Sequence, residues 1–92
     1  INLNSNFAKA YNNRGFAKYK LGNYNGAMQD VDESLQLRSD NAYAYRNRAL
    51  INLAFDSINK ACRDLHVADS LGFSTEYGEE VKSLIEQYCQ KN

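Results

Sequence analysis

Between Ala8 and Thr75 the sequence repeats at an interval of 34 residues. Shifting by that interval lays Ala8 on Ala42, Ala10 on Ala44, Tyr11 on Tyr45, Asn13 on Asn47, Arg14 on Arg48, Asn25 on Asn59, Ala27 on Ala61, Asp30 on Asp64 and Leu37 on Leu71. Those nine identities in 34 pairs exceed the about two or three that chance composition gives. A fixed period between about 20 and 50 residues marks a stacked array, in which each unit buries its apolar face against its neighbours.

The apolar spacing inside each period is helical. It predicts helices over 7–21, 24–37, 42–55 and 58–71, with turns at Gly22-Asn23, Ser39-Asp40-Asn41, Asp56-Ser57 and Gly72. Proline is absent and glycine sparse, which suits helices joined by short turns; Asn23, Asn25 and Asn41 stand where an asparagine side chain bonds local backbone. After the second period the pattern changes. Ser74 or Thr75 caps a helix expected over 76–90, with Glu76, Glu79 and Glu80 at its electropositive start. Tyr77, Val81, Leu84, Ile85 and Tyr88 form a single apolar stripe, leaving Lys82, Glu86, Gln87 and Gln90 wet, as the terminal cap of an array requires. At the other end, Ile1 to Ser5 align at the same interval with Leu35 to Ser39. The expected organisation is therefore residues 1–7 as the tail of a preceding unit, complete units at 8–41 and 42–75, and a capping helix at 76–92, together one structural domain at the C-terminal end of a longer array.

Composition narrows the function classes. Eleven basic and eleven acidic side chains are scattered along the 92 residues, with no basic stripe for nucleic acid. No apolar run approaches a membrane span, so no membrane insertion is expected.

The small and large positions of the repeat resemble the tetratricopeptide repeat. That family sets an aromatic early in its first helix, then a large residue followed by a small one, a small residue where the second helix crosses, a large apolar residue one turn on, and a further small residue. Tyr11, Arg14, Gly15, Tyr24, Ala27, Val31 and Ser34 supply this in the first unit; Tyr45, Arg48, Ala49, Ile58, Ala61, Leu65 and Ala68 supply it in the second. The resemblance implies an all-α, right-handed α-solenoid of antiparallel helix pairs with a C-terminal capping helix. The chain departs from the family at the usual inter-repeat proline, replaced by Ser5, Ser39 and Phe73, at the inter-helix glycine of the second unit, replaced by Asp56, and at the usual leucine, replaced by Arg14 and Arg48. Each arginine lies sixteen residues before an aspartate, Asp30 or Asp64, which predicts an ion pair between the two helices of each unit.

By the same resemblance the first helices line a concave groove that holds a protein or peptide partner. The groove positions are Lys9, Asn12, Asn13, Phe16, Tyr19 and Lys20 in the first unit, and Tyr43, Arg46, Asn47, Leu50 and Leu53 in the second. This set joins aromatic, amide and cationic groups without a carboxylate. It suits an extended peptide with apolar anchors and an acidic group, which Arg46 can take bidentately. One branch of the family clamps a terminal carboxylate with lysines, asparagines and an arginine. Asn47 matches its second-repeat asparagine, but Asn12, Phe16, Tyr77 and Val81 stand where its other ligands belong, so that clamp is not expected. The alternative reading is a structural spacer or a self-assembly module, pairing through the N-terminal face that carries Phe7.

Cys62 and Cys89 are twelve residues before and fifteen after the turn near Ser74, so antiparallel helices bring them close; either a disulfide or two buried thiols fits. Cys62 and His66 share a helix face, but no paired-cysteine spacing accompanies them, and no metal or cofactor is expected. No phosphate loop, nucleophile motif or carboxylate pair points to catalysis. The compartment is unknown: the cytoplasm is favoured for a soluble module, the periplasm or the exterior if the cysteines are bridged.

Overall fold

The computed structural model describes residues 3–89, with side chains from Asn6 onward. Ile1, Asn2, the Ser5 side chain and Gln90 lie outside the described residues. The chain is all-helical: α1 (Leu3–Lys20), α2 (Tyr24–Leu37), α3 (Ala42–Ala54), α4 (Ile58–Ser70), α5 (Phe73–Tyr77) and α6 (Glu80–Tyr88). The first helix starts at Leu3, four residues ahead of the expected Phe7, so residues 3–7 continue it.

The turns follow their residues. Gly22 leaves α1 at φ 86°, and the Asn23 side chain accepts the Gly26 amide at 3.0 Å to open α2. Asn41 opens α3 in the same way, accepting from the Tyr43 and Ala44 amides. Asn25 lies inside α2, exposed. Asp56, at the position of the family glycine, takes φ 62° itself; aspartate tolerates that region better than most side chains, at a cost of about 1 kcal/mol.

α1 and α2 pack antiparallel. Gly15 meets Ala27 near one end of the pair while the Ser34 hydroxyl donates to the Ala8 carbonyl at 2.6 Å near the other. A Cβ on Gly15 would sit 2.8 Å from Val31 Cγ2 and 3.1 Å from the Ala27 carbonyl oxygen, so glycine is what permits the approach. Among the described residues the stack has two apolar clusters. Ala27, Val31 and Leu35 of α2 pack with Ala44 and Ile51 of α3. Ala49, Ala61, Leu65 and Ala68 of α3 and α4 then join Phe73 and Val81, which brings the C-terminal segment into the core.

The helix expected over 76–90 is two helices. Gly78, at φ 105° and ψ −166°, stops α5 after five residues, and α6 restarts at Glu80. Neither uses a Ser74 or Thr75 side-chain cap: Gly72 precedes α5 and Glu79 precedes α6. Of the expected stripe, Val81 is buried and Leu84 and Ile85 pack against the core, whereas Tyr77 belongs to α5 and Tyr88 remains exposed.

Both inter-helix ion pairs form. Arg14 holds Asp30 through Nε and Nη2, each at 2.8 Å, and Lys18 adds a contact at 3.1 Å. Arg48 holds Asp64 at 3.1 and 3.0 Å and reaches Asp32 at 3.0 Å, while the Asn52 amide donates to Asp64. The Arg14 hydrogen bonds hold the Asp30 carboxyl below the usual carboxylate range against the opposing effect of burial. Asp64 is buried, so removing its arginine strands a carboxylate. Arg48→Met is expected to destabilise the fold by about 2 kcal/mol, lowering Tm by on the order of 10 °C. An unchanged Tm in a thermal melt would show the pair to be dispensable.

Candidate functional site: the groove between the first and third helices

Six of the expected groove residues gather where α1 passes α3. Lys9, Asn12, Asn13 and Phe16 of α1 and Tyr43 and Asn47 of α3 line a cleft of about 370 Å³, together with Asn41 and Tyr77. Helical spacing puts Lys9, Asn12, Asn13 and Phe16 on one stripe of α1, and the neighbouring stripe at Gly15 is consumed by packing on α2. Tyr19 and Lys20 extend the wall: the Tyr19 ring stacks on Phe16 at 5.8 Å, and Lys20 Nζ lies 5.7 Å from the Phe16 centroid. Tyr19 continues to Tyr24, and Tyr24 to Phe55, as a chain of ring contacts at 5.8 and 6.0 Å.

The amides differ from expectation. Asn12 and Asn47 are buried, at 5% and 1% exposure, and the Asn47 amide nitrogen donates to Asn12 Oδ1 at 3.0 Å. Asn47 Oδ1 accepts from Arg46 Nη1 at 2.6 Å. Asn47 spends one hydrogen bond across the α1–α3 seam and one on its neighbour Arg46 rather than presenting them to a ligand, because buried amides must find partners. Asn13 remains exposed.

Arg46 is equally engaged. Its guanidinium carbon lies 5.0 Å from the Phe16 centroid and 4.8 Å from that of Tyr43, and its Nε donates to Glu80 Oε1 at 2.9 Å. Leu50 is half-buried, and Leu53 packs against the second core cluster, so neither lines the cleft. Val81 is buried and Tyr77 projects into the cleft, where it makes edge contact with Tyr43 at 4.9 Å.

Three groove residues were not expected: Asn41, Tyr77 and Glu80. Asn41 caps α3 and so sits at the groove mouth. Tyr77 and Glu80 arrive through the break at Gly78, whose glycine in an otherwise helical stretch was the available signal.

The cysteine sulfurs lie at bonding distance, with Cα atoms 5.7 Å apart, tying the end of α6 to α4. His66 is exposed, and among the described residues no group of three or more His, Cys, Asp or Glu side chains could hold a metal ion. No helix of the described residues is long and apolar enough to cross a membrane. A free-thiol titration of protein unfolded without reductant is expected to find none, and reduction to cost about 3 kcal/mol of stability. Two free thiols would remove the bridge.

Comparison with known proteins bears on what such a groove is for. Residues 8–41 match the tetratricopeptide repeat family. A curated relative, a TPR repeat-containing thioredoxin of Arabidopsis thaliana, is 31% identical over 84 residues, which is 91% of this chain and 22% of that protein. The chain thus spans about a fifth of the length of the relative it matches. No solved structure matches.

Proposed function

We propose that the chain, of which residues 8–41 match the tetratricopeptide repeat family, is a non-catalytic protein-interaction module that holds an extended partner segment in the groove between α1 and α3. In this reading residues 8–41 and 42–75 are the two repeat units and 76–92 the cap. The observation that carries it is the lining of the cleft. Phe16, Tyr43 and Tyr77 offer apolar ring surface, Lys9 and Lys20 offer positive charge, and the carboxylate that reaches the groove, Glu80, is already paired with Arg46. An extended segment with an apolar anchor and acidic character is the complementary partner.

The thioredoxin in the relative's name has no counterpart in this chain's own chemistry. A dithiol oxidoreductase uses two cysteines spaced C-x-x-C, whereas Cys62 and Cys89 are separated by 27 residues. The Cys62–Cys89 pair serves better as a staple, which persists in an oxidising compartment such as the periplasm or the exterior and opens to thiols in a reducing one.

Selection from an immobilised library of random decapeptides tests the groove. The wild-type chain is expected to enrich sequences pairing an aromatic or aliphatic residue with Asp or Glu, and Phe16→Ala, Tyr43→Ala and Arg46→Ala each to weaken the selected peptides by about tenfold. Equal retention by all three variants would sink the groove reading.

A second reading, self-association, rests on the outer face of α1. Phe7 is 56% exposed and, with Ala10, Tyr11 and Arg14, lines a depression of about 210 Å³. Exposed aromatic surface of that kind favours a second copy. Sedimentation is expected to show a concentration-dependent dimer that Phe7→Ser abolishes; a strict monomer at high concentration would overturn it.

A further inference from the structure

Arg46 already holds a carboxylate. The Phe16 and Tyr43 rings lie 5.0 and 4.8 Å from its guanidinium carbon, Asn47 accepts from Nη1, and Glu80 accepts from Nε. The partners are not equivalent. Phe16, Tyr43 and Asn47 belong to α1 and α3; Asn47 is buried in the seam, and the two rings pack on Tyr19 and Phe73. Glu80 comes from the first turn of α6 and is 42% exposed, while the Arg46 side chain is 12% exposed. Rotation of one side chain therefore removes the carboxylate and leaves the rest of the Arg46 slot intact. A guanidinium beside two rings, on a side chain 12% exposed, has lost most of its water, so its open edge strongly favours an anion.

We propose that Glu80 is an internal substitute for a partner's carboxylate, and that binding exchanges Glu80 for an Asp or Glu side chain of an extended peptide at Arg46. This rests on the groove reading given above. The exchange conserves charge at the slot, one carboxylate leaving as another enters. Selectivity then comes from competition: Glu80 is held near Arg46 at high effective concentration by α6, which is anchored by buried Val81 and by Cys89 against Cys62. A weakly binding acidic group loses to it. A segment that also seats an apolar residue against Phe16 and Tyr43 wins. Lys9 and Lys20 form no ion pair among the described residues, so an acidic segment gains further attraction that Glu80 does not already satisfy.

The test uses two synthetic peptides, acetyl-Ala-Leu-Glu-Leu-Ala-amide and its Gln counterpart, titrated into the whole chain and followed by the Arg46 Nε–H resonance and the Phe16 and Tyr43 backbone amides. Glu80→Gln is expected to bind the Glu peptide about tenfold more tightly than wild type. It should bind the Gln peptide no better than wild type does, and Arg46→Gln should erase the preference for Glu. Thermal melts of the variants separate these effects from loss of fold. If the groove amides shift but wild type and Glu80→Gln bind the Glu peptide equally, the substitute role is overturned and the groove reading stands. If neither peptide moves those amides in any variant, both fall.

Discussion

The distance between α1 and α2 is set where Gly15 lies against Ala27 and Val31. At that point a single methyl group would overlap Val31 Cγ2, so the two helices meet backbone to backbone. The consequences run outward. Close approach fixes the register that lets Ser34 reach the Ala8 carbonyl and aligns Arg14 with Asp30. It also turns the adjacent stripe of α1, beginning with Phe16, away from α2 and toward the groove. In the second unit Ala49 and Ala61 take the corresponding places, both fully buried, and the Arg48–Asp64 pair falls into the same relation. The groove face is thus a by-product of a packing rule on the opposite side of the helix.

Between the units, α2 meets α3 through apolar side chains, but the α1–α3 seam is polar. Asn47 donates to Asn12 across it, and Arg46 donates to the Asn47 side-chain oxygen. Apolar contact alone would tolerate a slide of one unit on the next; a buried amide pair does not, since a shift of one residue orphans both groups. The pair therefore fixes the relative position of Phe16 and Tyr43, which form the two walls of the Arg46 slot.

What was legible in the sequence is what occurs twice. The helix pairs, the small residues at their crossings and the Arg–Asp spacing all recur at 34 residues, and the structure has each of them. The burial of Asn12 and Asn47 was not legible, because residues on one helical stripe look alike in sequence whether they face water or a neighbouring unit. Nor was the cap, which occurs once. Its stripe reads as one amphipathic helix, and only the backbone conformation of Gly78, at a φ that L side chains rarely adopt, splits it. That split carries Tyr77 to the cleft and Glu80 to Arg46, so the misread element supplies two of the groove's contacts.

α6 covers an apolar face of the α3–α4 pair with Val81, Leu84 and Ile85, and Lys82 pairs with Asp69 of α4 at 3.2 Å on its outer edge. A straight continuation from residue 76 would have put the Tyr77 ring on the same stripe as Val81. Stopping at Gly78 frees the two functions from one another: α6 seals the core while α5 carries Phe73 into it and lends Tyr77 to the groove. Because Glu80 heads α6, the helix that packs on the core also brings a carboxylate to the groove. Loosening of the C-terminal helices, whether through the core or through the Cys62–Cys89 link, then reaches Arg46 by two routes, through Glu80 and through Tyr43, whose ring packs against Phe73 and Tyr77.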